Sequence, residues 1–118
     1  MTDEPTTSLG DEALTLVRRY YAALDAHEYD VFETLLAPSF VQRRPDRTFE
    51  GRDAFVGFMR DDRPVADTSH DLAELFGTGD RVTARGRLVD ATGEALFEFA
   101  DVFEIDAGRI VRLETYTR

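Results

Sequence analysis

Four strand-like runs close the chain, and the turns between them are so short that only one arrangement fits. The runs cover residues 70–76, 81–89, 95–105 and 109–117. The segments linking them, Gly77-Thr78-Gly79-Asp80, Asp90-Ala91-Thr92-Gly93 and Asp106-Ala107-Gly108, are built from turn-forming residues. Connections this short join antiparallel neighbours, because a parallel pair needs a crossover of a dozen or more residues. Residues 68–118 are therefore expected to form an antiparallel meander.

The preceding half reads as helices. From residue 11 to 26, Ala13, Leu16, Val17, Tyr20, Tyr21 and Leu24 share one arc at helical spacing, with Asp11 or Ser8 available as the cap. Asp30 and Glu33 have capping-box spacing and open a second, short helix that Pro38 ends. Residues 40–44 read as a strand closed by Pro45 and Asp46. Residues 51–61 read as a third helix, with Phe55, Phe58 and Met59 on one face. Residues 1–10 are expected to be a flexible acidic arm, and 11–118 one α+β domain with helices segregated on one face of a curved sheet.

The third meander strand carries the main chemical clue. Side chains alternate across a strand. Ala95, Phe97, Phe99, Asp101, Phe103 and Ile105 thus share the face expected to look inward. A carboxylate among phenylalanines is costly unless it is neutralised or bonded. Asp101 is expected either to have a raised pKa or to be paired with a donor. Kept neutral, it could donate a hydrogen bond to a developing oxyanion. In the bland alternative it only fixes the fold.

Composition limits the partners. The 118 residues carry 24 acids against 14 bases, a formal charge of −10. A field this negative repels phosphate backbones, which argues against nucleic-acid binding. No apolar run suits a bilayer span and nothing at the N-terminus resembles a signal peptide, so a cytoplasmic protein is expected. There is no Cys, hence no disulfide or thiolate metal site. All 14 basic residues are Arg, where about seven Lys would be ordinary. An acidic, Lys-free surface suits a high-salt cytoplasm, where self-repulsion is screened, and a halophilic source is expected.

In order and spacing, these segments resemble the nuclear transport factor 2-like superfamily, in particular SnoaL-like proteins. The resemblance rests on Arg19-Tyr20 to Asp25, Leu36-Ala37-Pro38-Ser39-Phe40-Val41, Gly51, Gly79-Asp80-Arg81-Val82, and Phe99 to Ile110. It implies a cone of curved sheet wrapped on three helices, a pocket at the open end, and a homodimer through the outer sheet face. Leu96, Ala100, Val102, Ile110 and Tyr116 are expected on that outer face. Set against ketosteroid isomerase, Tyr20 and Asp101 are similar in placement to two oxyanion donors. The general-base position is similar to Arg44, which cannot accept a proton.

His70, in phase with Leu72 and Phe76, is the remaining candidate base. The catalytic candidates are therefore Asp101, Tyr20 and His70. Ligand-binding candidates are Arg44, Gln42, Phe55, Phe99 and Thr115. Arg44 reads either as an anion clamp or as an ion-pair partner, of Asp101 or of the acidic surface. His27 and His70 form no recognisable metal-ligand set, and no cofactor is expected. The resulting reading is a binder of a small, partly apolar molecule. Its alternative is a cofactor-independent lyase, isomerase or cyclase that stabilises an enolate through Asp101 and Tyr20.

Overall fold

The computed structural model describes residues 9–118. The arm expected over residues 1–10 and the Ser8 cap lie outside them, except that Leu9 and Gly10 already belong to a helix. That helix, α1 (Leu9–Asp25), places Asp11 and Glu12 in its first turn, where acids favour the helix dipole. Its buried stripe is Ala13, Val17, Tyr20, Tyr21, Ala23 and Leu24, as helical spacing dictates.

A 3₁₀ turn (Tyr29–Val31) leads into the single-turn α2 (Phe32–Leu35). The expected Asp30–Glu33 capping box does not form: α2 starts after Val31, and no side chain caps it. Pro38 does not stop the helix either. It lies inside strand β1 (Leu36–Arg43), in the stretch between Leu36 and Val41 where the ladder to its neighbour is irregular. A proline with no N–H to donate fits such a gap. A short strand that the sequence reading omitted, β2 (Thr48–Glu50), folds back on β1. Gly51, at φ +105°, donates its N–H to Phe40 O at 2.7 Å and opens α3 (Arg52–Gly57). A π-helical turn, Phe58–Asp62, continues α3.

The meander forms as expected: β3 (Thr68–Thr78), β4 (Arg81–Asp90), β5 (Ala95–Asp106) and β6 (Arg109–Thr117). The six strands lie in the order β2-β1-β6-β5-β4-β3, antiparallel throughout except that β1 runs parallel to β6. The curved sheet wraps the helices, and Val17, Phe32, Phe40, Phe55, Phe103 and Leu113 are fully enclosed between the layers.

Bulges redirect two residues expected on the outer face. Glu104 pairs with Arg112 but Ile105 pairs with Ile110, so Val111 is the extra residue and Ile110 turns inward into the core. Leu88 pairs with Phe97 but Val89 pairs with Ala95, so Leu96 is extra and turns towards the open end of the cone. Ala100, Val102 and Tyr116 keep the outer face, amid ion pairs such as Arg85–Glu74 and Arg87–Asp71, both at 3.0 Å. Among the described residues no helix is long and apolar enough to cross a membrane.

Candidate functional site

The open end of the cone holds a cavity of about 410 Å³. Its walls come from four places. The end of α1 gives Tyr20 and Leu24, the turn after α3 gives Phe58, Met59 and Arg63, and β1 gives Gln42 with Arg44 just beyond it. The sheet gives Thr68, His70, Leu88, Phe99, Asp101 and Thr115. Strand pairing explains the inward set: His70 lies opposite Leu88, Asp101 opposite Ala84 and Thr115, and Phe99 opposite Gly86. Cross-strand partners share a face, so one register aims all of them into the cone.

Asp101 is buried, as its place among phenylalanines implied. The Tyr21 hydroxyl donates to its Oδ2 at 2.5 Å, and the Thr115 hydroxyl donates to its Oδ1 at 2.6 Å. Gln42 Nε2 donates to Thr115 Oγ1 at 3.0 Å, completing a chain that joins α1, β5, β6 and β1. Burial pushes the carboxyl above the usual carboxylate range. The Thr115 and Tyr21 hydrogen bonds, with the charge of Arg44 and that of His70 when its ring is protonated, pull it partly back. Both expectations for Asp101 therefore hold together: its pKa is raised, and it is paired with donors.

The α1 hydroxyl that bonds Asp101 is that of Tyr21. Tyr20 is also buried and lines the cavity, packed edge-on against Tyr21 with ring centroids 5.1 Å apart. Burial and then the nearby Asp101 charge raise its hydroxyl pKa well above the ordinary value, so it is a neutral donor. No hydrogen bond of that hydroxyl is found among the described residues.

His70 stands at the cavity wall with its imidazole fixed. Its Nδ1 lies 2.6 Å from Asp25 Oδ1, and its backbone N–H donates to Asp25 Oδ2 at 2.9 Å. Both side chains are largely buried. Tyr21 and Phe99 flank the ring at centroid distances of 4.9 and 5.4 Å. Asp25 is not among the candidates drawn from the sequence. It lies four residues after the buried Tyr21, and that i,i+4 spacing was the available signal.

The other expected residues divide. Gln42, Arg44, Phe99 and Thr115 line the cavity, but Phe55 does not. Phe55 is fully buried behind the wall, stacked on Tyr20 and edge-on to Phe32, Phe40 and Phe49. Arg44 forms its ion pair with Asp46, Nε to Oδ1 at 3.2 Å, while Asp101 takes its hydrogen bonds from Tyr21 and Thr115. His27 is exposed, and its Nε2 lies 2.8 Å from Ala66 O, so the two histidines do not meet in the cavity. Two buried polar atoms of cavity residues, Gln42 Oε1 and Thr68 Oγ1, have no partner among the described residues. Such atoms are costly unless something else bonds them.

The fold recurs in solved structures. An NTF2-like protein of unknown function from Mesorhizobium loti is 25% identical with TM-score 0.76, over 100% of this chain and 99% of that one. A candidate SnoaL-like polyketide cyclase from Jannaschia sp. CCS1 is 14% identical with TM-score 0.79, over 98% and 91%. An LEH-like epoxide hydrolase from M. tuberculosis is 19% identical with TM-score 0.79, over 92% and 84%. Nothing among curated protein sequences matches. Residues 17–113, from the buried stripe of α1 to the core of β6, match the SnoaL-like domain. The span takes in every cavity residue from Tyr20 to Asp101, and the chain belongs to the SnoaL-like domain family.

Proposed function

We propose that the chain binds a small, partly apolar molecule in the cone cavity and moves a proton on it without a cofactor, as a lyase, isomerase or cyclase. The observation that carries this reading is the Asp25–His70 pair at 2.6 Å, whose histidine lines the cavity. A carboxylate on Nδ1 fixes the tautomer with its proton there, which leaves the Nε2 lone pair to accept one. In the step proposed, His70 Nε2 takes a proton from carbon next to a carbonyl. The electron pair moves onto the carbonyl oxygen as an enolate, and the neutral Tyr20 hydroxyl donates to that oxygen. The proton then returns to another carbon in an isomerisation, or a group leaves the adjacent carbon in a lyase reaction.

In this reading Asp101 takes the structural one of its two expected roles rather than that of oxyanion donor. With both oxygens already accepting hydrogen bonds, it holds Tyr21 and Thr115 and sets the field around His70. That engagement also favours the second reading, a binder that does no chemistry. The unpartnered Gln42 Oε1 and Thr68 Oγ1 suit either reading, as groups that a bound polar molecule would satisfy.

The test is hydrogen–deuterium exchange in D₂O on a panel of small aryl ketones, followed by NMR. The wild type should accelerate exchange at the carbon beside the carbonyl. His70→Gln and Asp25→Asn should lose roughly 10²- to 10⁴-fold and somewhat less, respectively. Binding without exchange would leave the binder reading in place and remove the catalytic one. We also propose a homodimer through the outer sheet face, supported by the exposed Tyr116 opposite Ala100 and by the exposed Phe76, which shares that face across Thr83 from Val102.

A further inference from the structure

The cavity wall contains a cation, Arg63, with no counterion among the described residues. Most arginines of the described residues sit within 4 Å of a carboxylate, Arg44 and Arg47 sharing Asp46 at 3.2 and 3.4 Å. No such carboxylate is found for Arg18, Arg19, Arg43, Arg63 or Arg109. Four of these five are exposed, where water solvates the charge. Arg63 is half-buried and lines the cavity. Its one bond is from Nη2 to the Tyr29 hydroxyl at 3.0 Å, and that hydroxyl donates on to Met59 O at 3.1 Å. Its Nε is buried with no acceptor among the described residues.

In a chain with a net charge of −10 this arrangement is selective. A neutral apolar molecule filling the cavity would strip water from a guanidinium that has no carboxylate to replace it, which is unfavourable. A molecule bringing its own anion would supply the missing countercharge, and a planar carboxylate suits the guanidinium fork best. Arg44 is less available for this, because Asp46 already holds it. The apolar body of such a molecule would lie against Phe58, Leu88, Phe97 and Phe99, on the same wall as His70.

We infer that Arg63 is the specificity residue of the cavity and that it selects small apolar acids, ligands with a carboxylate at one end. This rests on the cavity-binding reading but not on catalysis. The experiment is isothermal titration calorimetry with a matched pair, 3-phenylpropanoate and 3-phenylpropanamide, on the wild type, Arg63→Gln and Arg43→Gln. The wild type should bind the carboxylate at least about tenfold more tightly than the amide. Arg63→Gln should remove that preference by weakening the carboxylate alone, with a thermal melt checking that it folds. Arg43→Gln makes the same change in net charge away from the cavity and should leave the preference intact. Equal binding of the two probes by the wild type overturns the inference without any variant and leaves the cavity-binding reading standing. So does a preference that survives in folded Arg63→Gln, or one that Arg43→Gln also abolishes. Failure of both probes to bind at millimolar concentration overturns this inference and the cavity-binding reading together.

Discussion

Tyr21→Phe isolates the bond on which the polar centre of the cone depends. The substitution removes one oxygen and leaves the ring, with its contacts to Tyr20, His70, Phe99 and Phe103, in place. What is lost is a donor 2.5 Å from a carboxyl that is 5% exposed. A hydrogen bond to a buried charged group is worth about 1.5–3 kcal/mol, against about 0.5–1.5 for a neutral one. For a domain of this size that is a fall in Tm of roughly 6–12 °C. The Asp101 pKa is raised in the folded protein, so its contribution is fully present below the unfolded value near 3.9 and is lost as pH rises through the folded value. The Tyr21 bond lowers that folded value, so removing it raises the value further and deepens the loss above it. The gap between wild type and Tyr21→Phe should therefore widen as pH rises. The assay is urea denaturation at neutral pH of wild type, Tyr21→Phe, Asp101→Asn and the double variant. In the Asp101→Asn background the tyrosine hydroxyl meets only a neutral amide, and its loss should cost about 1 kcal/mol less or better than that. Equal costs in the two backgrounds would falsify the claim that Tyr21 stabilises a charged Asp101.

Three further outcomes follow from other parts of the molecule. Gly86→Ala should destabilise by about 1–3 kcal/mol in urea, because a Cβ there would meet Asp71 O at 2.3 Å and Leu72 Cα at 3.0 Å, both backbone atoms; an unchanged midpoint would mean that the backbone of β3, where it faces Gly86, yields to the added methyl. The charge of −10 should make thermal stability rise steadily with NaCl from dilute buffer to molar concentration, and full stability in dilute buffer would remove the halophilic reading. Light scattering at near-molar salt should give twice the chain mass for the wild type and the monomer for Tyr116→Glu, since Tyr116 is 55% exposed on the proposed dimer face; a monodisperse wild-type monomer would contradict the dimer.

The fold was legible wherever one periodicity ran unbroken. β6 spans 109–117 as read, and β4 and β5 each extend one residue beyond the reading, because alternation and short Gly/Asp turns leave a meander little freedom. Legibility failed where tertiary structure overrode a local rule. Pro38 reads as a helix stop, yet an irregular edge of β1 tolerates it. Ile110 and Leu96 read as outward from their parity, yet each sits beside or within a bulge, and one inserted residue reverses parity. Nothing in the local sequence marks either bulge. β2 was missed because three residues are too few to show alternation.

Asp101 and Asp25 show why one carboxyl was found and the other was not. Asp101 interrupts an apolar strand face, and alternation by itself exposes that contradiction. Asp25 ends α1, where its neighbours in sequence are polar and an acid looks like ordinary surface. The overlooked sign is electrostatic. A carboxylate in the last turn of a helix opposes the dipole, and α1 has no basic residue there to offset it. An unfavourable terminal acid that lies four residues below a buried tyrosine needs a partner from elsewhere in the fold. The meander supplies it in His70, whose backbone N–H and ring nitrogen both reach Asp25. The pair joins α1 to β3 and at the same time leaves Nε2 as the ring nitrogen not committed to Asp25. The placement that stabilises the helix–sheet contact is therefore the same one that, in the proposed reaction, prepares the base. For this reason Asp25→Asn should lower both stability and proton exchange, whereas His70→Gln, which keeps the backbone N–H to Asp25, should lower exchange more than stability.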